Sequence, residues 1–384
     1  MKPFDFYNPT RIIFGNGTFA RLGGETAKYG KKALLVKAQG PLEKMGVYSR
    51  AAKLLADAGL QVVALEGVSA NPKLSSVREG IKLCQQNRLE AVVAVGGGSA
   101  IDCAKAIAVG AVDEGDVWDF FTGKRAAGKA LPIGAVSTLA ATGAEMSLHC
   151  VITNEAEKKK YATHFEVNYP RFSIIDPELH KSVPRFLTAC GLCDTITHAG
   201  ENYFIGDRNT PMTDRIAEGV ILTVLENDRV LEQPEDLELR ANHAWAAAIG
   251  INGLTDCGRG AFYYGAHTIE HAVSAHFDVA HGAGLAVVHP AWLSYLCEQD
   301  PARFAHFAER IFGIKGRSAK EAGLAGIAAL KAKYAGWGLP VTLKELKVPT
   351  DRATLEKIAA DCLVDPDSGI KDKQIVLDVL ARCQ

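Results

Sequence analysis

The sequence has no large excess of charge of either sign. Its 43 Lys and Arg residues nearly balance its 44 Asp and Glu residues, which leaves a formal net charge of −1. A chain without a long-range electric field has no general attraction for nucleic acid or for an anionic membrane surface. We therefore expect neither of these partners.

The sequence also lacks a secretion signal and a membrane-spanning run. Residues 1–6 do not show the basic-then-apolar order of a signal peptide. The apolar stretch that begins at Ala91 meets Asp102 and Lys105 before it is long enough to cross a bilayer. The nine cysteines are odd in number and scattered, as buried thiols are, so they do not indicate a disulfide framework. We expect a cytoplasmic protein.

The pattern of apolar residues predicts two domains of different class. A chain of 384 residues usually divides into two domains. Short strand-like runs alternate with helical patterns up to residue 180, which is typical of a doubly wound α/β fold with a parallel sheet. Beyond Pro184 the chain is rich in Ala, Leu, Glu and Arg at helical spacing. We predict a dinucleotide-binding α/β domain over residues 1–180 and an all-helical domain over residues 181–384.

A glycine-rich turn follows the apolar strand predicted at residues 91–95. The turn consists of Gly96, Gly97, Gly98 and Ser99. Glycines let the backbone approach a phosphate, and the helix that follows offers free N–H groups and the positive end of its dipole. We expect Ser99 and Asp102 to cap that helix, and the polar turn at residues 137–143 to line the same crevice. Many glycine turns are plain connections, but this position favours a pyrophosphate site.

The helical half carries a carboxylate and several histidines at helical spacing. Asp194 and His198 are four residues apart, so both project from one face of a helix. His267 and His271 repeat this spacing, and His281 follows a short distance along the chain. One carboxylate with three imidazoles suits Fe(II) or Zn(II) and leaves a position for an oxygen of the substrate.

A shared ion requires the chain to turn back between two of these histidines. On a straight helix His267 and His281 would be about 21 Å apart. The chain would therefore fold back near Phe277 and Asp278, and the glycines beyond His281 would permit the turn.

Other residues of metal-binding or redox type have simpler interpretations. A single histidine on an apolar helix is usually a core residue, and we read His149, His243, His276 and His289 in this way. Cys190 and Cys193 form a Cys-x-x-Cys pair without a second pair, and we expect small core residues there.

These residues, in this order, resemble the iron-containing (group III) alcohol dehydrogenases. The resemblance is closest to the NAD(P)H-dependent butanol dehydrogenase and broad aldehyde reductase branch, and it extends from Phe4 to Leu380. The matching segments are residues 96–102, 138–145, 194–198 and 245–290. The resemblance implies a metal-dependent enzyme that transfers hydride between NAD(P)H and small, fairly apolar aldehydes or primary alcohols.

The resemblance implies roles for the residues of the helical half. The positions that match the metal ligands are Asp194, His198, His267 and His281, with Fe(II) or Zn(II) as the ion. His271 matches a residue that stands beside the substrate without binding the ion, and we expect it to pass the proton in alcohol oxidation. The ion would polarise the aldehyde carbonyl while the nicotinamide delivers hydride.

The resemblance also implies contacts to the nucleotide. Beyond the glycine turn, the expected positions are Asn71, Asp102, Thr138, Thr142 and Lys160. Ala144 departs from the family, which often has a serine there, so any contact of that hydroxyl is lost. The alternative for Lys160 is a solvated charge, because it ends a run of three lysines.

Two alternatives come from other functional classes. A lyase resembling dehydroquinate synthase would need several Lys and Arg beside the metal ligands, to hold a multiply anionic substrate. The flanks here are Trp245, Phe262, Tyr263 and Tyr264, which suit a small, fairly apolar substrate. A non-catalytic nucleotide-binding protein would need no open metal position.

The turn after the first sheet strand bears on the choice of nicotinamide cofactor. NAD-specific sites commonly place a carboxylate at the end of a neighbouring strand, beside the ribose 2′-hydroxyl. Residues 37–40 contain no carboxylate: Lys37 is placed to meet a 2′-phosphate, Gln39 and Gly40 leave room for it, and Glu43 lies close by. The alternative is that Lys37 points into solvent. We predict that NADPH is preferred over NADH, with use of both.

The first residues indicate a homodimer. Residues 4–7, Phe-Asp-Phe-Tyr, form a short β-like segment with few local partners. In the resembling family the N-terminal strand pairs across subunits, so the resemblance implies a dimer.

Overall fold

The structure is a computed structural model that describes residues 1–260 and 263–384. Phe262, one of the aromatic residues considered above, lies outside the described residues. Contacts divide the chain into two compact units, a sheet unit of residues 7–183 and 234–248 and a helical unit of residues 1–6, 184–233 and 249–384. The predicted domains, divided at residue 180, assign two segments differently. They place residues 1–6 in the α/β domain and residues 234–248 in the helical domain.

The sheet unit contains all the strands of the described chain. They are β1 (Arg11–Phe14), β2 (Lys32–Ala38), β3 (Gln61–Val68), β4 (Ala91–Gly96), β5 (Ile133–Ser137), β6 (His149–Asn154), β7 (Lys159–His164) and β8 (Phe172–Ile175). Six of them form a sheet in the order β1-β8-β5-β4-β2-β3, with every neighbouring pair parallel. Strands β6 and β7 form a separate antiparallel hairpin.

Helices cover both faces of this sheet, which confirms the predicted doubly wound α/β class. The first five are α1 (Leu22–Thr26), α2 (Val47–Asp57), α3 (Leu74–Asn87), α4 (Gly98–Gly110) and α5 (Trp118–Phe121). Alternate residues of β4 enter two different cores: Val92 packs with Ile107, whereas Val93 packs with Leu55. A strand that is buried on both faces cannot alternate with polar residues, and β4 is therefore continuously apolar.

A later segment of the chain returns to the sheet unit. Helix α8 (Leu237–Ile251) has an alanine-rich face. Three of its alanines, at positions 244, 247 and 248, form a small core with Ala140 and Ile175. The small side chains let a helix lie close to the end of β8, and this is why residues 234–248 belong to this unit.

In the described part of the helical unit, all regular secondary structure is helical. Its helices are α6 (Arg185–Ile205), α7 (Pro211–Glu226), α9 (Gly265–Phe277), α10 (His281–Gln299), α11 (Pro301–Phe312), α12 (Ala319–Gly336), α13 (Arg352–Val364) and α14 (Lys373–Arg382). Helix α10 packs against α6, α9 and α12, and α6 also packs against α7. Helices α6, α9 and α10 carry the predicted metal ligands, so their packing decides whether those side chains meet.

The described residues also bear on the expectations about membrane spans, cysteines and the N-terminal segment. No helix there is both long and apolar enough to span a membrane. All nine cysteines are free, and eight of them are buried. The β-like segment expected at residues 4–7 is not a strand in this single chain, because residues 1–10 have no regular secondary structure.

Candidate active site

Helix α6 presents a carboxylate and an imidazole from one face. Asp194 and His198 lie one turn apart, and both are almost fully buried. Nδ1 of His198 is 3.5 Å from Oδ1 of Asp194. The spacing predicted from the sequence therefore brings the two side chains together.

Helices α9 and α10 bring two more imidazoles to the same carboxylate oxygen. Nε2 of His267 and Nε2 of His281 each lie 3.6 Å from Oδ1 of Asp194. The potential ligand atoms of these three residues all lie within 4.8 Å of one another. His198 is outside that three-residue group, but its ring stacks on the ring of His267 with centroids 4.5 Å apart.

The chain turns back where the sequence indicated, although not by means of glycines. Helix α9 ends at Phe277, and Asp278 adopts the left-handed conformation with φ of 49°. The expectation that the glycines after His281 permit the turn is wrong, since Gly282 and Gly284 lie inside α10. Their role is close packing, because a side chain at either position would clash with a neighbouring group.

The donor atoms at the centre of this cluster fit a cation. Oδ1 of Asp194, Nδ1 of His198 and Nε2 of His267 are buried, and none has a hydrogen-bond partner among the described residues. Buried polar atoms are nearly always paired, so three unpaired ones that face each other need an explanation. A divalent metal ion that accepts oxygen and nitrogen ligands would satisfy all three at once.

The protonation of these groups reflects burial and close charges. Burial raises the pKa of Asp194, but the imidazoles of His198, His281 and His267 outweigh it and hold this pKa well below its usual value. Burial lowers the pKa of His198 to about 3. The pKa of His267 is raised to about 9, because Glu201 and Asp194 outweigh the lowering by burial. A metal ion bound here would displace the proton of His267.

His271 lies beside the cluster. Its ring centroid is 5.5 Å from that of His281 and 6.2 Å from that of His267. Its ligand atom also groups with those of Glu270 and His281, within 4.8 Å of one another. The histidine is therefore next to the predicted ligands, and this second group is an alternative place for an ion.

Two buried glutamates were missed by the sequence reasoning. Glu201 hydrogen-bonds Nδ1 of His267, and Glu270 hydrogen-bonds Nδ1 of His281. Each glutamate follows a predicted ligand by three residues on the same helix, Glu201 after His198 and Glu270 after His267. That spacing would have placed both near the cluster, but glutamate on a helix is usually read as solvent-facing.

The remaining histidines and the Cys-x-x-Cys pair lie outside both candidate metal groups of the described chain. His276 pairs with Asp361 at 2.5 Å, and His289 is 3.1 Å from the hydroxyl of Tyr334. Cys190 and Cys193 are buried in α6, and burial raises the pKa of Cys190 to about 12. A thiol with so high a pKa is suited to packing and poorly suited to redox chemistry.

In the sheet unit, the glycine turn joins β4 to α4. A Cβ atom on Gly98 would lie 2.3 Å from Oγ1 of Thr142, so the backbone of this turn touches the second polar turn. The N–H of Thr138 donates to the carbonyl of Gly96 at 3.0 Å. Gly96, Gly98, Thr138 and Thr142 are thus together at the carboxyl ends of β4 and β5.

The expected helix cap differs from the observed one. Helix α4 begins at Gly98, and its N-cap, Gly97, has no side-chain hydrogen bond. Ser99 is therefore already inside the helix, and Oδ2 of Asp102 accepts a hydrogen bond from the N–H of Val151 at 3.0 Å. The predicted capping box is wrong, and the N-terminus of α4 has no side-chain cap.

Lys160 and Asn71 form a buried pair. Nζ of Lys160 donates to Oδ1 of Asn71 at 3.0 Å, and both residues are more than nine-tenths buried. Lys160 lies on β7. The alternative of a solvated lysine therefore does not apply.

Lys37 is held by carboxylates. Its Nζ lies 2.9 Å from Oε1 of Glu66 and 3.5 Å from Oε2 of Glu43. Burial lowers the pKa of Lys37, but Glu66 and Glu43 outweigh it and raise the pKa overall. The side chain of Lys37 is therefore neither free nor directed simply into solvent.

The next residues of this turn are Gln39 and Gly40. The N–H of Gln39 donates to the carbonyl of Val68, and Gly40 has φ of 132°.

Comparison with known proteins identifies the family. The model described as iron-containing alcohol dehydrogenase matches residues 9–177, and the model of the C-terminal part of the Fe-containing alcohol dehydrogenase family matches residues 188–374. The chain belongs to the iron-containing alcohol dehydrogenase family. It is therefore a metal-dependent oxidoreductase of the alcohol dehydrogenase class, and the lyase and non-catalytic alternatives are set aside.

Individual relatives place it in the predicted branch. The probable NADH-dependent butanol dehydrogenase 2 of Bacillus subtilis is 40% identical over 361 residues, which cover 92% of each chain. The NADPH-dependent aldehyde reductase YqhD of Escherichia coli is 32% identical over 90% of this chain and 89% of its own. The crystal structure of NADH-dependent butanol dehydrogenase A from Thermotoga maritima has a TM-score of 0.95 and 40% identity, and covers 100% of this chain and 99% of that one.

The close approach of α10 to α6 gives a first prediction. A Cβ atom on Gly282 would lie 2.3 Å from the carbonyl oxygen of Cys190. We expect Gly282→Ala to lower the free energy of unfolding by about 1–3 kcal/mol, because backbone must move. Metal content should fall as well, since α6 and α10 each carry proposed ligands. Chemical denaturation and metal analysis measure the two effects.

The matched control is Gly219→Ala on α7. A Cβ atom there meets nothing within 4 Å. We expect it to raise stability by about 0.5–1 kcal/mol, because alanine favours the helix. If Gly282→Ala were as stable and as rich in metal as this control, the close packing would not be a constraint.

Proposed function

We propose that the chain reduces small, fairly apolar aldehydes to primary alcohols with a reduced nicotinamide dinucleotide, and catalyses the reverse oxidation. The observation that carries the proposal is the cluster of buried, unpartnered donor atoms on Asp194, His198 and His267. The names of the relatives, butanol dehydrogenases and an aldehyde reductase, support the substrate class. The aromatic ring of Tyr264, which meets the His267 ring edge-on at 5.6 Å, suits an apolar substrate.

In the proposed mechanism Asp194, His198, His267 and His281 hold a divalent ion. When bound, such an ion supplies a Lewis acid that polarises the aldehyde carbonyl and lowers the pKa of an alcohol. The N-terminus of α4 and the glycine turn bind the pyrophosphate of the dinucleotide. The cofactor supplies the hydride chemistry, and the role of the protein is to bind and orient the cofactor.

His271 is proposed to move the proton. It lies one helical turn from His267 on α9, and its ring is close to that of His281. An imidazole in this place accepts the hydroxyl proton in alcohol oxidation and returns it in aldehyde reduction. It does this from beside the ion, so its loss should leave the metal in place.

This separation of roles is testable with three variants of α9. We expect His267→Ala to lose both metal and turnover, because it removes one of four proposed ligands. His271→Ala should retain metal and lose about 100-fold or more in the rate of alcohol oxidation at neutral pH. Metal analysis and rates with a panel of aldehydes and alcohols measure this.

The control is His276→Ala on the same helix, because His276 pairs with Asp361 away from the cluster. It should retain metal and turnover. Full metal occupancy in His267→Ala would refute its role as a ligand. Loss of metal in His271→Ala as complete as in His267→Ala would refute the separation.

We propose that NADH is preferred over NADPH, which reverses the preference predicted from the sequence. That prediction required Lys37 to be available for a 2′-phosphate, and two carboxylates already engage its Nζ. Glu66 lies near the carboxyl end of β3, the strand next to β2, where a carboxylate suits a ribose 2′-hydroxyl and repels a phosphate. The two relatives at 40% identity, from Bacillus subtilis and Thermotoga maritima, are named NADH-dependent.

The cofactor proposal predicts the effect of removing one charge. Wild type should show a higher kcat/KM for NADH than for NADPH with one aldehyde such as butanal. Glu66→Gln should raise kcat/KM for NADPH by about tenfold, equivalent to about 1.4 kcal/mol, because it removes the charge of the nearer of the two carboxylates that engage Lys37. Glu79→Gln, an exposed charge on α3, is the control and should leave the ratio unchanged. A clear excess for NADPH in wild type would overturn the proposal.

We also propose a homodimer. Phe4, Phe6 and Tyr7 are each more than two-fifths exposed, and β1 is an edge strand with β8 as its single neighbour in the sheet. Exposed aromatic side chains and an open strand edge favour pairing with a second copy. Light scattering should give twice the 41.1 kDa of one chain, and a value of 41.1 kDa would contradict the proposal.

A further inference from the structure

Two of the proposed ligands are each supported from behind by a buried carboxylate. Nδ1 of His267 hydrogen-bonds Oε2 of Glu201, and Nδ1 of His281 hydrogen-bonds Oε2 of Glu270. Both glutamates are completely buried. The opposite ring nitrogen of each histidine, Nε2, lies 3.6 Å from Oδ1 of Asp194. The two imidazoles therefore have the same arrangement, with a carboxylate on one side and the centre of the cluster on the other.

The glutamates are themselves fixed. Oε1 of Glu201 accepts a hydrogen bond from the N–H of Ala266 at 2.5 Å, and Oε1 of Glu270 accepts one from the hydroxyl of Ser274. A Cβ atom on Gly284 would lie 2.8 Å from Oε1 of Glu270, so α10 lies directly against this carboxylate. Neither side chain can turn away without breaking these contacts.

Glu201 depends on His267, or on an ion bound to it, for positive charge. Among the described residues no Lys or Arg pairs with it, and its partners are the ring of His267 and the N–H of Ala266. A carboxylate that is buried in this way costs free energy unless positive charge is close. A metal ion on the far side of His267 would provide that charge.

We propose that Glu201 and Glu270 are positioning residues for the metal site. Each holds the proton of its histidine on Nδ1, fixes the plane of the ring, and leaves the lone pair of Nε2 directed toward Asp194. This inference rests on the proposed ligand set. It adds that two of the three imidazoles depend on a carboxylate partner, whereas Nδ1 of His198 faces Asp194 itself at 3.5 Å.

The experiment measures metal affinity and ligand geometry in the full-length protein. Wild type and the variants Glu201→Ala, Glu201→Gln, Glu270→Ala and Glu270→Gln are freed of metal with a chelator. Each is then titrated with Zn(II) against a chromophoric chelator, and separately with Co(II), whose visible spectrum reports the arrangement of the ligands.

We expect each alanine variant to bind Zn(II) about 10- to 100-fold more weakly than wild type, and to show an altered Co(II) spectrum. A glutamine keeps an oxygen that accepts the Nδ1 proton but has no charge. We therefore expect it to restore the spectrum and most of the affinity, with a remaining loss of about threefold to tenfold.

The matched control is Glu218→Gln. Glu218 is also buried in the helical unit, on α7, and it pairs with Arg310 and the hydroxyl of Tyr203. Its partners among the described residues include none of the proposed ligands, so this variant should lose stability and bind Zn(II) as wild type does. A general effect of removing a buried charge would instead weaken binding in all three glutamine variants alike.

The outcomes distinguish this inference from the proposed function. If wild type fails to bind one Zn(II) per chain, the proposed ligand set itself is wrong. If wild type binds and the folded alanine variants bind with the same affinity and spectrum, the positioning role is wrong. Should the alanine variants not fold, the glutamine variants decide, because wild-type affinity in both of them contradicts the proposal.

Discussion

The helical unit is organised around the carboxylate of Asp194, which three imidazoles from three helices approach. Nδ1 of His198 and Nε2 of His267 and His281 lie 3.5 to 3.6 Å from the same oxygen. Such a cluster is costly to bury without a cation, so the surrounding chain has to hold groups that would otherwise separate. The turn at Asp278 and the close packing of Gly282 against α6 both serve this requirement.

The sheet unit places backbone and neutral polar groups together at the carboxyl ends of β4 and β5, as the proposed pyrophosphate site requires. The continuous burial of β4 fixes the position at which the glycine turn begins, and Gly98 then lies against Thr142. The first N–H groups of α4 have no side-chain cap. A pyrophosphate would complete hydrogen bonds that the chain leaves open, just as a metal ion would complete those of the helical unit.

Much of this was predictable because the signals are local. The alternation of strands and helices gave the fold class, and the four-residue spacing of Asp194 and His198 put both on one face of α6. What could not be predicted depends on contacts between distant residues. Lys37 pairs with Glu66 on the neighbouring strand, α8 returns to the sheet unit through its alanines, and the burial of Glu201 and Glu270 arises from helix packing. A single sequence does not carry the register of such contacts.

We propose that Asp194, His198, His267 and His281 together hold one divalent ion. Anomalous diffraction from crystals of the metal-loaded protein, recorded on both sides of the absorption edges of iron and zinc, tests it most directly. We expect one peak per chain, about 2.0–2.2 Å from an oxygen of Asp194 and from one nitrogen of each of the three histidines. A peak bound by Glu270, His271 and His281 and distant from Asp194 would contradict it.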